Sequence, residues 1–249
     1  MKGVILAGGN ATRLRPLTHV TNKHLLPVYH KPVIYYAIEK MVEAGIDRIM
    51  IVTAPQYVSQ FVNLLGSGQD FVSKRTGKQI QIAYGVQNEP RGIAQALWVA
   101  KDYVGTEDVI LHLGDNIIED DISEAIQNFS GGATVFLKKV PDPHRYGVAV
   151  TNKKGDILEI IEKPENPKSD LAVVGAYIYD NGVFEKLVGQ SPSARGEYEI
   201  TYVNNRYLSE GRLRGIELTK PWFDVGTFES LHEASVYMRG KHRKQNEKA

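Results

Sequence analysis

The chain of 249 residues contains no cysteine. Disulfide bridges, zinc-thiolate sites and thiol nucleophiles are therefore excluded together. The fold must depend on a hydrophobic core, and a hydrophobic fraction of 42% is ordinary for a globular protein. Because a chain without disulfides fits a reducing compartment, we expect a cytoplasmic location.

The chain also lacks an excess of charge and long apolar runs. Thirty Lys and Arg against 29 Asp and Glu leave a formal net charge of +1, so no overall field attracts nucleic acid or an acidic membrane surface. The first apolar run, at residues 4–7, ends at two glycines and is too short to cross a membrane. Neither nucleic acid nor a membrane is an expected partner, and any phosphate must be bound by locally placed cations.

Short apolar runs alternate with longer segments of helical spacing in the first half of the chain. The runs lie at residues 4–7, 49–53, 80–84 and 109–113, and helices are predicted at residues 33–43 and about 93–103. This alternation is typical of βαβ units. It predicts an α/β fold, a Rossmann-like three-layer sandwich around a mainly parallel mixed sheet, with ligands at the carboxyl ends of the strands.

The second half is richer in strands. Candidates follow closely at residues 133–140, 146–150, 157–161 and 173–179. There is no long linker and no repeat, so we predict one domain over residues 1–240 whose halves, about 1–130 and 131–240, share a sheet. Residues 241–249 are charged and lack apolar anchors, which predicts a disordered tail.

A glycine turn and two cations follow the first strand. Gly8 and Gly9 can bring backbone amides close to a phosphate chain, with Arg13 adding charge, although a tight turn with a solvated arginine would look the same. The turn is neither a P-loop nor a dinucleotide-binding fingerprint. Lys23 lies in a proline-bounded loop, where it could contact a departing pyrophosphate or simply be solvated.

Two carboxylates are candidate metal ligands. Asp115 follows an apolar strand at its carboxyl end, and Asp224 lies between aromatic residues and a glycine turn. Two carboxylates are a common protein contribution to a Mg²⁺ ion shared with phosphate oxygens. The alternative for Asp224 is a helix-capping role before Phe228.

A paired acid and base ends another predicted strand. Glu162 could accept hydrogen bonds from sugar hydroxyls, and Lys163 could bind a phosphate. A surface Glu-Lys pair is the simpler alternative. Arg145, Tyr146 and Arg195 beside glycines are weaker candidates.

Taken in their order along the chain, these segments resemble the sugar-1-phosphate nucleotidyltransferase family, and within it the glucose-1-phosphate thymidylyltransferases. The resemblance covers nearly the whole chain. The resemblance depends on Leu6-Ala7-Gly8-Gly9, Thr12-Arg13-Leu14, Asn22-Lys23-His24-Leu25-Leu26-Pro27, Gly92-Ile93-Ala94-Gln95-Ala96, Leu113-Gly114-Asp115-Asn116, Arg145-Tyr146-Gly147-Val148, Glu162-Lys163-Pro164, Ala194-Arg195-Gly196-Glu197 and Asp224 with Gly226-Thr227.

The resemblance implies an enzyme that transfers a nucleotidyl group from dTTP or UTP to glucose-1-phosphate and releases pyrophosphate, with Mg²⁺ as cofactor. It implies that residues up to about 130 bind the nucleotide and residues from about 131 bind the sugar phosphate. The implied nucleotide ligands are Leu6, Ala7, Gly8, Gly9, Arg13, Lys23, Gln87, Gly92 and Asp115. The implied sugar-phosphate ligands are Asn116, Tyr146, Gly147, Glu162, Lys163, Val174, Gly175 and Arg195. The implied catalytic residues are Arg13, Lys23, Asp115, Lys163 and Asp224, with Asp115 and Asp224 on the metal ion.

Three positions depart from the family pattern. Ala11 stands where glycine is common, His24 where many relatives have Gln, and Tyr202 where Asp is expected. The chain resembles a short form without the helical C-terminal extension of longer relatives, so we expect a monomer or a small homo-oligomer. The alternatives are a nucleotidyltransferase for another base or sugar phosphate, and a non-catalytic regulator that binds sugar nucleotides.

Overall fold

A computed structural model of the chain describes residues 1–9, 11–73 and 75–247. The strands are β1 (Lys2–Ala7), β2 (Pro27–Val28), β3 (Lys31–Pro32), β4 (Arg48–Thr53), β5 (Gln81–Val86), β6 (Val109–Leu113), β7 (Asn116–Ile118), β8 (Ala133–Lys139), β9 (Gly147–Thr151), β10 (Ile157–Glu162), β11 (Leu171–Tyr179), β12 (Leu213–Glu217) and β13 (Trp222–Asp224). The α-helices are α1 (Val33–Glu43), α2 (Val58–Leu65), α3 (Ile93–Val99), α4 (Lys101–Val104), α5 (Ser123–Gln127), α6 (Val183–Leu187), α7 (Ile200–Ser209) and α8 (Phe228–Asn246). Short 3₁₀ helices span Thr12–Leu14, Leu17–His19, Lys23–Leu25, Pro55–Tyr57 and Pro143–Arg145.

One mixed sheet runs through both halves of the chain. Its order is β10-β9-β11-β6-β1-β4-β5, with β8 beside β11 and β12 beside β8. Strand β1 is parallel to both of its neighbours, β4 and β6, and β5 is parallel to β4. Strand β11 continues the sheet antiparallel to β6. The predicted α/β class with a mixed sheet is confirmed.

Helices cover both faces of this sheet because β1 directs alternate side chains to opposite sides. Val4 and Leu6 pack in the cluster that contains Leu97 of α3 and Val203 of α7. Ile5 and Ala7 pack in the cluster that contains Ile34 and Ile38 of α1. The sheet is therefore the middle of three layers.

The two helices predicted in the first half are present, with one difference. Helix α1 has the predicted bounds and ends before Gly45, whose φ of 88° takes the chain out of the helix. The second is divided into α3 and α4 at Ala100, whose amide donates to the carbonyl of Leu97 at 3.0 Å in a tighter turn.

The tail differs from the prediction, because α8 continues through residues 241–246. Two contacts tie this part of the helix to the rest of the protein. Lys241 Nζ lies 2.7 Å from Glu119 Oε2, and the His242 ring lies 4.8 Å from the ring of His30. Charge composition alone could not reveal these partners, and residues 248–249 lie outside the described residues. No helix in the described ranges is both long and apolar enough to span a bilayer.

Candidate active site

The carboxyl ends of β1, β4 and β6 meet at one edge of the sheet, the usual position of ligand sites in open α/β folds. Gly8 and Gly9 follow β1 there, and the Gly114 amide donates to Leu6 O at 2.9 Å as β6 turns toward Asp115. The Asn22 side chain donates to Ala7 O at 2.9 Å. This bond ties the loop that carries Lys23 to the end of β1.

A small second sheet brings the two candidate metal ligands together. Strand β13 pairs antiparallel with β7, so that Asp224 lies opposite Asn116. The Val225 amide also donates to the carbonyl of Asp115 at 2.9 Å. The two aspartates, far apart in sequence, are therefore neighbours.

Charges of both signs surround these aspartates. Lys23 forms an ion pair with Asp115, and an Arg145 nitrogen lies 3.7 Å from Asp224 Oδ2. Burial works to raise the pKa of Asp115, but the charges and hydrogen bonds around it, led by the Lys23 ammonium, together outweigh burial and hold that pKa below its usual range. Burial, followed by the negative charge of Asp115, raises the pKa of Asp224 to about 6.

The two carboxylates fit a divalent cation. The Asp224 side chain is only 18% exposed, its carboxylate accepts no hydrogen bond from the described residues, and it is repelled by Asp115. A cation between the two carboxylates would relieve that repulsion. The described residues contain no group of three or more His, Asp or Glu side chains placed to bind a metal ion. The remaining oxygens would therefore come from phosphate and water, as is usual for Mg²⁺.

One cleft of about 270 Å³ lies over the Gly8-Gly9 turn. Its walls contain seven of the nine predicted nucleotide ligands: Leu6, Gly8, Gly9, Lys23, Gln87, Gly92 and Asp115. The other two lie elsewhere. The Ala7 side chain is fully buried in the core. The Arg13 guanidinium lies against Gly226 and lines a second cleft instead.

Gly92 shapes the far wall of this first cleft. It has φ 106°, and a Cβ atom built there would lie 2.5 Å from the carbonyl oxygen of Tyr198. The side-chain nitrogen of Gln87 donates to Gly92 O at 3.4 Å and also to the side-chain oxygen of Gln95. A side chain at position 92 would therefore displace the backbone that supports Gln87.

The second cleft, of about 460 Å³, opens on the other side of Asp224. Its walls contain six of the eight predicted sugar-phosphate ligands: Asn116, Tyr146, Gly147, Glu162, Lys163 and Gly175. Val174 does not line it, because alternation along β11 turns Val173 to the cleft and Val174 to the opposite core. Arg195 lies beside it, with a nitrogen 3.3 Å from Glu162 Oε1. Ile93 and Leu113 line both clefts, which therefore adjoin.

Lys163 and Glu162 present different chemistry to this second cleft. Lys163 has no carboxylate within ion-pair distance in the described ranges and an unusual φ of 42°, a strained conformation of the kind that often marks a functional position. Glu162 accepts a hydrogen bond from the Thr201 hydroxyl. The cleft thus offers an unpaired ammonium beside an oriented carboxylate.

Asn116 links the metal-ligand candidates to the second cleft. Its side-chain nitrogen donates to Asp115 Oδ1 at 3.0 Å. Its side-chain oxygen accepts from Gly175 N at 3.1 Å and from Trp222 Nε1 at 2.7 Å. Both ends of the side chain are therefore bonded within the protein. Its position orients Asp115.

Gly175→Ala is expected to disturb this link, because a Cβ atom there would lie 2.6 Å from Asn116 Oδ1. We expect turnover to fall about 10- to 100-fold, since small misplacements of reacting groups have effects of this size. Steady-state kinetics and thermal melting measure the effect. Gly240→Ala is the control, because Gly240 has no atom within 4 Å of the added methyl. A wild-type rate for Gly175→Ala would contradict the link.

The sequence interpretation missed several cleft residues. Trp222, Thr201, Glu199 and Tyr177 all line the second cleft. Their orientation depends on pairings between distant strands, which the sequence does not reveal. Trp222 shows this, since its indole nitrogen is bonded to Asn116 of β7. An aromatic residue two positions before a candidate metal ligand is the only local signal.

The chain is similar to known proteins over nearly its full length. The sequence profile of the nucleotidyl transferase family matches residues 2–240. The glucose-1-phosphate thymidylyltransferase of Neisseria meningitidis is 43% identical over 252 residues, covering 99% of this chain and 85% of that protein. The enzyme of the same name from Mycolicibacterium smegmatis is 43% identical over 245 residues, covering 96% of this chain and 82% of that protein.

Solved structures show the same similarity. A Bacillus anthracis protein assigned as a glucose-1-phosphate thymidylyltransferase, crystallised with sucrose, superposes with a TM-score of 0.88 at 47% identity and covers 96% of this chain and 95% of its own. A UDP-glucose pyrophosphorylase in complex with UDP-glucose has a TM-score of 0.81 at 25% identity, covering 96% of this chain and 98% of its own.

Proposed function

Because the chain belongs to the nucleotidyl transferase family, we propose that it transfers the nucleotidyl group of dTTP to glucose-1-phosphate, forming dTDP-glucose and pyrophosphate. The observation that carries the proposal is the pair of adjoining clefts. One lies over a glycine turn and the other contains Glu162 and Lys163, with Asp115 and Asp224 between them. The names of the similar thymidylyltransferases support dTTP and glucose-1-phosphate as the substrates.

The proposed reaction is an in-line displacement. A phosphate oxygen of the sugar-1-phosphate attacks the α-phosphorus of the triphosphate, the bond from that phosphorus to the bridging oxygen breaks, and pyrophosphate leaves with the electron pair. A phosphate monoester is already nucleophilic near neutral pH, so no serine or cysteine nucleophile is needed. Positioning and charge neutralisation then supply most of the rate enhancement.

Each cleft has its own part in this reaction. The amides of Gly8 and Gly9 and the ammonium of Lys23 face the triphosphate, and Lys23 neutralises the departing pyrophosphate. Lys163 binds the phosphate of the sugar substrate, and Glu162, oriented by Thr201, accepts hydrogen bonds from its hydroxyls. Arg13 lies against the Gly226 turn and lines the second cleft, where its charge faces the phosphate of the sugar substrate.

Nucleotidyltransferases of this type generally use a divalent metal ion. We propose Mg²⁺, bound by Asp115 and Asp224. When bound, the ion supplies positive charge to the phosphate oxygens.

We place the protein in the cytoplasm, as a monomer or small homo-oligomer with small-molecule substrates. Residues 1–130 form most of the proposed nucleotide half and residues 131–240 most of the sugar-phosphate half. Asn116 and Asp224 each lie at the contact between these halves, since β7 pairs with β13.

A substrate panel tests the proposed function. Purified protein is incubated with Mg²⁺, glucose-1-phosphate or another sugar-1-phosphate, and each nucleoside triphosphate in turn, and pyrophosphate release is measured. We expect the highest kcat/KM with dTTP, some turnover with UTP, and no release when the metal is chelated. Absence of turnover with every sugar phosphate and triphosphate would favour a non-catalytic sugar-nucleotide-binding protein.

A further inference from the structure

The guanidinium of Arg195 is bound along one side only. Its Nε and one terminal nitrogen donate to the same oxygen of Glu199, at 3.2 and 2.7 Å. That terminal nitrogen also lies 3.3 Å from Glu162 Oε1 and 3.5 Å from Glu197 Oε2. The other terminal nitrogen has no hydrogen-bond partner in the described part of the chain. One end of the guanidinium is therefore still available to a ligand.

Glu199 is the more firmly fixed member of this pair. It immediately precedes α7, and its carbonyl accepts a hydrogen bond from Gln190 at 2.8 Å. The same carboxylate oxygen that binds Arg195 also accepts from the Ser193 hydroxyl at 2.7 Å. Its side chain is 14% exposed, whereas that of Arg195 is 35% exposed. Arg195 itself belongs to a tight turn, in which the Gly196 amide donates to Ser193 O at 2.8 Å.

A long side chain on an exposed turn has many rotamers, and binding a ligand through it requires that most of them be lost. A carboxylate that already fixes the guanidinium removes part of this loss before the ligand arrives. Glu199 can fix Arg195 in this way, because it binds the guanidinium through Nε and one terminal nitrogen. The second terminal nitrogen stays available to the ligand.

We propose that Glu199 is a positioning residue for the sugar-phosphate site, orienting Arg195 so that the free end of its guanidinium meets the phosphate of the sugar-1-phosphate. The inference depends on the proposed function for the identity of that phosphate. Glu199 is not itself a phosphate ligand, since its charge repels the substrate. It acts through Arg195.

The sign of its effect separates positioning from simple electrostatics. Removing a negative charge beside a phosphate site would tighten binding if Glu199 did nothing else. Positioning predicts the opposite. Glu199→Gln should raise the KM for glucose-1-phosphate and its calorimetric Kd about 3- to 10-fold, because Arg195 loses its orientation. The KM for dTTP should stay unchanged and kcat should change less than about twofold.

Ser193→Ala provides a second variant without a change of charge. It removes one of the hydrogen bonds that hold the Glu199 carboxylate, and we expect the Kd for glucose-1-phosphate to rise about twofold to threefold. Glu165→Gln is the matched control, since Glu165 is exposed and forms no ion pair among the described residues. That control should bind and turn over like the wild type.

A double-mutant cycle decides whether Glu199 acts through Arg195. Arg195→Ala alone should weaken glucose-1-phosphate binding more than Glu199→Gln does, and the double variant should bind no worse than Arg195→Ala. Additive effects would show that Glu199 contacts the sugar directly, and tighter binding by Glu199→Gln would show that it only repels the phosphate. Either result overturns the inference. Because binding of glucose-1-phosphate is measured by calorimetry, the inference is tested separately from turnover, and no binding by the wild type would overturn it.

Discussion

Asp224→Asn is expected to abolish metal-dependent turnover and leave the fold intact. Loss of one of two protein carboxylates from the metal site should lower kcat by about 10³-fold or more, a size typical for groups that stabilise the transition state. The measurement is pyrophosphate release over a range of Mg²⁺ concentrations. Partial recovery at high Mg²⁺ would fit weakened metal binding.

The same substitution should not lower stability in the absence of metal. Asp224 is largely buried beside Asp115, and burial together with that charge raises its pKa to about 6. Because the folded-state pKa lies above the usual 3.8, stability falls as the pH rises from 3.8 through about 6, and the penalty is complete at pH 7.5. A neutral amide should therefore leave the Tm at that pH equal or higher. Asp170→Asn, at an exposed carboxylate, is the control. An unchanged rate would remove Asp224 from the site, and unfolding would point to a structural role.

Lys163→Met is expected to have the second largest effect. It removes the unpaired ammonium of the second cleft and keeps the aliphatic length of the side chain. We expect kcat/KM for glucose-1-phosphate to fall about 10²-fold or more, because the phosphate loses a charge-assisted hydrogen bond. The KM for dTTP should change less than about twofold, since Lys163 does not line the nucleotide cleft.

Steady-state kinetics with each substrate varied in turn check this expectation. Lys168→Met is the matched control, because Lys168 is exposed and paired with Glu159. It should behave like the wild type. If Lys163→Met raised the KM for dTTP and not for glucose-1-phosphate, the proposed assignment of the two clefts would be reversed.

The parts of the fold that follow from local pattern could be predicted. Parallel strands such as β6 are largely apolar runs, and α1 has a clear apolar stripe with a glycine after it, so both appear directly in the sequence. Strands β7 and β13 have three residues each and, within the described part of the chain, pair only with each other. Nothing local in so short a segment distinguishes a strand from a loop, and the placement of Asp224 beside Asp115 depends on this pairing.

The grouping of candidate residues in one cleft was predicted best where backbone and charge decide the position. Gly8, Lys23 and Asp115 line the cleft that their motifs predict. The direction in which a side chain points was harder to predict from the sequence. Arg13 follows the glycine turn in sequence, yet its guanidinium lies against Gly226 in the second cleft. The choice between Val173 and Val174 depends on the register of β11, which no local feature of the sequence reveals.

The departure at position 11 has a conformational consequence. Ala11 has φ 44° and ψ 42°, in the left-handed region that glycine adopts at lower cost. The neighbouring Asn10, part of the same predicted phosphate turn, lies outside the described residues. Thr18 donates a hydrogen bond to the carbonyl of Ala11 at 2.8 Å, which supports this conformation despite the added methyl group.

Direct observation of the product tests the central claim that the two clefts bind two substrates and join them. Protein, Mg²⁺, dTTP and glucose-1-phosphate are mixed and followed by ³¹P NMR. We predict that dTDP-glucose and pyrophosphate appear in equal amounts, and that neither forms when glucose-1-phosphate is left out. Pyrophosphate released from dTTP without the sugar phosphate, or no product from both substrates together, would contradict the account.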